Sequence, residues 1–457
     1  MLAINNARRK DRKKTQRERI LAGVVRAVAR DGYAASTISQ VITNAGVSRP
    51  TFYDYFTDKN DSFVAALEAI HDQLTADIEK ALLEASPERA CHAVAAALVT
   101  FADSRPDTAR VLLDAAMSGG PRALGVRDGG IKAVEQLIEA RYRAADSAAV
   151  PDLPIRSLIG GIYRLLASRL RNDHIGAAEL LDELPGWIDS YALPLRDHRW
   201  RALRPVPLRA QSAVAESPLQ APQSLGPGHA GLTRREVAAN QRQRILLAAA
   251  HLAEQKGYQA TTVSDIAKRA GIDNRAFYRL FTDKQAAFQA LHELLFRHIW
   301  SLTVAGFLAG DTWPERIWEA VRAFAAYIEQ NATLAYASFV DSHAGGAEVV
   351  QRVEQLVGGF TIFLQEGYQH GVQTSPPSPV ALQAIATTVF ELDYMQVREC
   401  RVGQLSGLIP HVTFISLAPF IGASASNEFI DSQLESKSSP RSTSGETSRS
   451  AANPVHR

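Results

Sequence analysis

Cysteine is scarce in this 457-residue sequence: Cys91 and Cys400 lie far apart and match neither a metal-ligand spacing nor a disulfide framework, a pattern suited to a reducing cytoplasm. Net charge is almost absent too, at +2, so affinity for nucleic acid has to come from local patches rather than from the total. No apolar run reads as long enough for a membrane span, and the N-terminal segment is too basic and polar for a signal peptide, which points to a cytosolic protein with no membrane partner. Also missing are a paired nucleophile and base, clustered metal ligands and a phosphate-cradling glycine loop, so the sequence speaks against an enzyme and asks for no cofactor. With 46% hydrophobic and 21% charged residues, the chain is globular and long enough for two or more cores.

What is present is a repeat. The stretch TISQVITNAGVSRPTFYDYFTDK, Thr37 to Lys59, returns as TVSDIAKRAGIDNRAFYRLFTDK, Thr262 to Lys284. Both ends are 225 positions apart (262 − 37 and 284 − 59), so nothing is inserted or lost between the copies. Thr37 stands as an N-cap with Gln40 closing a capping box, and Ile38, Val41, Ile42 and Ala45 share one helical face. Gly46 follows where a left-handed residue ends the helix. Ser48 then caps a second helix whose Phe52, Tyr55 and Phe56 face inward, and Thr57 reads as the cap of a third. The second copy repeats the plan with Thr262, Asp265, Gly271, Asp273, Phe277 and Phe281. Two short helices joined by a tight glycine-containing turn form a helix-turn-helix, whose second helix can enter a DNA major groove.

Ahead of the first copy, residues 1–19 carry Arg8, Arg9, Lys10, Arg12, Lys13, Lys14, Arg17 and Arg19 against only Asp11 and Glu18. Such an arm can neutralise phosphates and release counterions, or simply fray in solvent. Ile20, Leu21, Val24, Val25 and Val28 then mark a scaffold helix that stops at Gly32-Tyr33; Ile245, Leu246, Ala249, Leu252 and Ala253 mark its counterpart, which stops at Gly257-Tyr258.

Gly32-Tyr33, Thr37-Ile38, Ala45-Gly46-Val47-Ser48, Phe52-Tyr53, Phe56 and Lys59, with their second-copy equivalents, resemble the DNA-binding end of TetR-family transcriptional regulators. The resemblance implies an all-α fold of two such halves, each a three-helix reader followed by a helical domain that dimerises and binds a small molecule. It gives Thr37 and Thr262 a phosphate contact, Tyr53 and Tyr278 a backbone contact, and Lys59 and Lys284 a phosphate held by the ammonium and a helix N-terminus. Base reading then falls to Arg49, Thr51 and Tyr55 beside the cap Ser48 in copy one, and to Asn274, Arg275 and Arg279 in copy two. For any one of these the alternative is a solvent-facing polar residue, and for Tyr55 it is core packing. The copies differ: Leu280 replaces Tyr55, Asp273 replaces Ser48 and Arg275 replaces Pro50, so the expected operator is asymmetric duplex DNA.

The duplication continues beyond the readers, since Pro154, Pro185 and Pro194 recur 225 positions on as Pro379, Pro410 and Pro419. The expected organisation is a basic flexible arm (1–13), a first reader (14–60), a first helical domain (61–200), a Pro-, Ser- and Gly-rich linker (201–232), a second reader (233–285), a second helical domain (286–423) and a disordered tail (424–457). Aromatic residues concentrate in the second helical domain. Trp318, Tyr327, Phe339, Phe363 and Tyr394 are its candidate effector-binding residues, with ordinary core packing as the alternative. Covalent joining raises the effective concentration of one half for the other, which favours an intrachain pseudo-dimer over a homodimer. The function expected is a ligand-responsive repressor; the other reading is a helical small-molecule sensor or interaction protein in which one or both readers are inactive.

Overall fold

The computed structural model describes residues 2–144, 155–191, 205–206, 222, 231–371 and 376–435, and among them every regular element is a helix. The first reader comprises α1 (Leu2–Ala35), α2 (Ile38–Ala45) and α3 (Arg49–Tyr53). The basic residues 8–19 therefore occupy the N-terminal turns of α1. Gly32, at φ 74°, breaks that helix where the sequence places its stop, because a positive φ is freely open only to glycine. Thr37 and Gln40 form the expected capping box, and Gly46 turns the chain in the left-handed region at φ 61°. The third cap falls one residue later than expected: Asp58 accepts from the Asp61 amide, while Thr57 donates its own amide to Asp61.

Lobe one consists of α4 (Lys59–Glu84), α5 (Ala90–Ser104), the short α6 (Pro106–Ala109), α7 (Gly120–Ala144), α8 (Ile155–Arg171) and α9 (Ala177–Asp189). The second reader repeats the first as α10 (Arg234–Ala260), α11 (Val263–Ala270) and α12 (Asn274–Tyr278), again with a break at Gly257 and a left-handed Gly271. Lobe two is built from α13 (Lys284–Phe307), α14 (Trp313–Gln330), α15 (Ala332–Phe339), α16 (Ala347–Gly359), α17 (Ile362–Gln365), α18 (Pro379–Arg398), α19 (Ile409–Ile421) and α20 (Ala423–Glu435).

Two expectations need correction here. The segment expected to begin a disordered tail at 424 is helical through Glu435, because Ile430 is buried and Phe429 meets the edge of Trp318; two apolar side chains one position apart anchor an otherwise polar segment. The stretch Val402–Ile421 does have the length and apolarity of a membrane span, yet 89% of its most apolar window is buried within the protein, as in a core helix. The expected linker and the remainder of the tail lie mostly outside the described residues.

The lobes meet chiefly where α8 packs on α18. These helices are counterparts in the repeat, but their contacting faces are unlike. Gly160 and Gly161 form a hollow on α8 into which Glu391 and Thr388 of α18 project; a methyl added at Gly161 would stand 2.1 Å from the Thr388 hydroxyl oxygen. Glu391, only 1% exposed, pairs with Arg127 of α7 at 2.9 Å and Arg164 of α8 at 2.6 Å. At the far end the Tyr191 hydroxyl donates to the Ile415 carbonyl at 2.9 Å and receives the Trp187 indole N–H at 3.0 Å. Changing Gly161 to alanine should overpack this contact and lower unfolding free energy by about 1–3 kcal/mol, measured by urea denaturation of the full chain.

The hydrophobic interior is divided unevenly. Ile20, Val24, Val28 and Phe52 of reader one belong to the same continuous core as both lobes. Reader two has a separate core around Ile245, Ala249, Ile266 and Phe277, which continues into α13 and reaches α15 through Leu334 and Ala337.

Candidate nucleic-acid interface and effector cavity

Each reader is held together by the same clamps. In reader one the Arg19 guanidinium donates to the Gly46 carbonyl at 2.7 Å, tying the scaffold helix to the turn. Arg244 does the same to Gly271 at 3.3 Å. The Lys59 ammonium donates to the carbonyls of Tyr33 (2.8 Å), Ser36 (3.0 Å) and Ala34 (3.5 Å) while lying 4.4 Å from the centre of the Tyr33 ring. Lys284 reproduces this on Tyr258, Thr261 and Gln259, at 4.4 Å from the Tyr258 ring. Partial burial lowers the pKa of both lysines from the ordinary value. The ammonium groups expected to meet phosphate are thus engaged with backbone carbonyls at the break between scaffold helix and α2 or α11. Lysine suits this place because one compact cation with three donors satisfies several carbonyls at once.

The other reader residues mostly point outward. Thr37, Ser48 and Arg49 are exposed, and Tyr53 is 50% exposed with its ring set edge-on to buried Phe52 at 5.4 Å. Thr51 is half-buried; its hydroxyl shares a hydrogen bond with Ser48 at 2.8 Å, which fixes the start of α3. Tyr55 departs from a base-reading role: it is half-buried and its hydroxyl donates to Gln16 of α1 at 3.1 Å. In reader two Thr262, Asn274, Arg275 and Arg279 are exposed, and Tyr278 is 57% exposed. The Asp273 carboxylate accepts from the Ala276 amide at 2.6 Å, so it serves as a helix cap at the place where Ser48 stands in reader one.

A largely apolar cavity of about 120 Å³ lies inside lobe two. Phe339 and Phe363 line it, as the sequence suggests; Trp318, Tyr327 and Tyr394 do not. Trp318 packs on α20, Tyr327 meets the His298 ring at 4.8 Å, and Tyr394 faces lobe one with its hydroxyl on Asp128 at 3.1 Å. Aromatic content alone cannot tell a cavity wall from a core or an interface, and only tertiary packing separates the three.

Of two buried acids in lobe two, the sequence offers Asp393, with Glu391 and Arg398, as a residue that could orient a ligand or else pair at an interface, while the role of Asp341 leaves no mark in it. Asp393, 6% exposed, is the single ionisable group on the cavity wall among the described residues, and burial pushes its carboxyl up to about 8. Asp341, 8% exposed and just past α15, accepts from the Tyr258 amide at 2.9 Å; burial outweighs that hydrogen bond and raises it to about 7. This bond joins lobe two to reader two at the break in α10. Both acids hold a proton in the folded chain at pH values where an unfolded aspartate, near 3.9, has lost it. Their contribution to stability is therefore present in acid and is lost as pH rises from about 4 through 7 for Asp341 and through 8 for Asp393. The urea midpoint should decline over that interval, with D341N flattening its lower part and D393N its upper part.

The profile of the family described as "Bacterial regulatory proteins, tetR family" matches residues 20–66 and again 245–291, the two readers. The HTH-type transcriptional regulator EthR of Mycolicibacterium smegmatis is 26% identical over 188 residues, 40% of this chain and 82% of that protein. The nucleoid occlusion factor SlmA of Idiomarina loihiensis is 26% identical over 182 residues, 36% of this chain and 93% of its own length. Among solved structures, a TetR family transcription regulator from Marinobacter aquaeolei VT8 is 22% identical, with a TM-score of 0.34, over 43% of this chain and 97% of its own. With two matched readers built on one set of clamps, the chain is a duplicated protein that carries the DNA-binding domain of TetR-family transcriptional regulators twice in one polypeptide.

Proposed function

We propose that this regulator works as a pseudo-dimer within one chain, a cytoplasmic repressor that sets its two readers on unlike half-sites of one asymmetric operator. The observation that carries this reading is the α8–α18 contact, where Glu391 of lobe two is buried between Arg127 and Arg164 of lobe one. Such a junction joins the halves the way a dimer interface would, with two different faces. On this reading Thr37, Tyr53, Thr262 and Tyr278 grip phosphates. Arg49 and Thr51, with Asn274 and Arg275, meet base edges, and arginine and asparagine are suited to guanine and adenine respectively.

Lobe two is the effector-binding half, and its signal travels to reader two. Ser338 of α15 lines the cavity, and three residues on Asp341 holds the Tyr258 amide. A molecule that displaces α15 shifts the Asp341 anchor, and the separately cored reader two follows; reader one, continuous with the body, stays in place. Release from DNA is then a change in the population of reader-two orientations.

Selection of bound duplexes from a random pool, combined with light scattering of the complex, tests this. One chain per duplex and a selected site with two dissimilar halves support it. A palindromic site bound by two chains would overturn the pseudo-dimer. Absence of any salt-sensitive binding would favour a sensor that does not read DNA.

A further inference from the structure

Asp393 makes no hydrogen bond or ion pair with any other described residue, although its side chain is nearly wholly buried on the wall of the lobe-two cavity. An orphaned carboxyl in apolar surroundings is costly to the fold, so a partner that is absent from the chain itself is the physical question it poses.

We propose that the lobe-two cavity receives a small apolar amine, and that Asp393 supplies the carboxylate which pairs with its nitrogen. This rests on the effector-binding reading of lobe two and names the chemistry of the molecule bound there. Three independent features of the wall select the amine.

First, apart from the one transferable proton of Asp393, the polar wall consists of acceptors. Besides Asp393 it offers, among the described residues, only the hydroxyls of Thr303, Ser338 and Ser416, and each spends its hydrogen on a carbonyl of its own helix, Ile299 (2.8 Å), Leu334 (2.9 Å) and Val412 (2.8 Å). Lone pairs remain, which suits a ligand bearing N–H donors. Second, among the described residues no arginine, lysine or histidine lines the cavity, so a carboxylate or phosphate ligand would be buried there without a counter-charge. Third, the rings of Phe296, Phe324, Phe339, Phe360, Phe363 and Phe390 line the space, and aromatic faces attract cations. At about 120 Å³ the cavity approaches the roughly 150 Å³ that accommodates benzene in a dry protein interior, which sets the size of the apolar part.

The proton balance closes without a co-reactant. Burial keeps the empty-site carboxyl neutral at neutral pH. A neutral amine entering the cavity takes that proton: the O–H bond of Asp393 breaks, an N–H bond forms, and ammonium and carboxylate remain as a pair with no net charge carried inside. Asp393 is also well placed to report occupancy, because two residues earlier on α18 Glu391 holds the guanidiniums of lobe one, and Phe390 both lines the cavity and lies 4.4 Å beneath the Arg164 guanidinium.

Calorimetric titration of the full chain with benzylamine, toluene and benzoate, in wild type and in D393N, tests the assignment. The expected result is benzylamine binding at least tenfold tighter than toluene, no benzoate binding, and a D393N variant that loses that advantage while still binding toluene, which shows that its cavity is intact. Equal binding of benzylamine and toluene, or an undiminished preference for benzylamine in D393N, would overturn the amine assignment and leave lobe two as a ligand-binding domain. If neither benzylamine nor toluene binds the wild-type chain, the effector-cavity reading falls with it.

Discussion

Replacing Glu391 by alanine should destabilise the folded chain by about 3–5 kcal/mol, as expected when one partner leaves a buried ion pair. The substitution leaves the Arg127 guanidinium, 1% exposed, with Asp128 at 3.2 Å in place of two carboxylate partners, and removes the 2.6 Å partner of Arg164, itself lying over Phe390 and Tyr394 at 4.4 and 5.0 Å. Burial by itself raises the Glu391 carboxyl, but the two guanidiniums outweigh it and hold the group below the ordinary carboxylate range. Its contribution is therefore present above the unfolded carboxylate value and disappears only as acid protonates it, the opposite sense from Asp341 and Asp393. Converting Arg127, Glu391 and Arg164 together to Met, Leu and Met should cost less than the single change, because the buried carboxylate leaves with both guanidiniums and Asp128 keeps Arg398 at 3.4 Å. Chemical denaturation of the three proteins separates these outcomes. A loss below about 1 kcal/mol for E391A would mean that water reaches the pair and that the lobes are not tightly joined.

Silencing either reader should lower affinity for the complete operator by about 10²–10⁴-fold, the range by which linking two binding modules multiplies their separate affinities. The changes R49A with Y53A disable reader one, and R275A with Y278A disable reader two; all four side chains are exposed, so neither pair disturbs a core. Each should also flatten the dependence of binding on salt, since fewer counterions are released. Binding isotherms at several salt concentrations supply both numbers. If one pair of substitutions changes nothing, that reader does not touch DNA and the other carries recognition alone.

The readers were the most legible part of the chain because their geometry is fixed locally. Thr37 and Gln40 are three residues apart, Gly46 must adopt φ 61°, and Phe52 and Phe56 recur one turn apart on one face; such constraints act within a few residues and leave a mark in any sequence that meets them. Exact repetition at one offset then turned a modest local signal into a strong one. What escaped was set by distance in the chain. Lys59 is 26 residues from the carbonyl of Tyr33, and a lysine at a helix start is as natural a phosphate ligand as it is a carbonyl clamp. Arg19 sits in a basic run and reads as one more phosphate neutraliser, although its guanidinium is spent on Gly46. Asp341 is 83 residues from Tyr258, and nothing nearby distinguishes it from a surface acid. Of the five aromatic residues chosen for the effector cavity, the two that line it, Phe339 and Phe363, lack a polar tip. The others, Trp318, Tyr327 and Tyr394, have one and went to a helix contact, a histidine ring and the other lobe.

The glycine hollow on α8 and the acidic knob on α18 bear on how such a chain can change over time. In a pair of identical subunits every substitution at the contact is made twice, once on each side, so a glutamate buried there would face its own image. Here the position matching Glu391 in α8 is Leu166, and those matching Gly160 and Arg164 in α18 are Ile385 and Val389. Each helix has been free to adopt a shape and a charge that its twin could not share. Two α18 helices brought together from separate molecules would bury a pair of glutamates with no arginine between them. On the proposed pseudo-dimer reading, fusion converts self-recognition into recognition between two specialists, and the half already attached has the advantage of proximity over an identical half in another molecule.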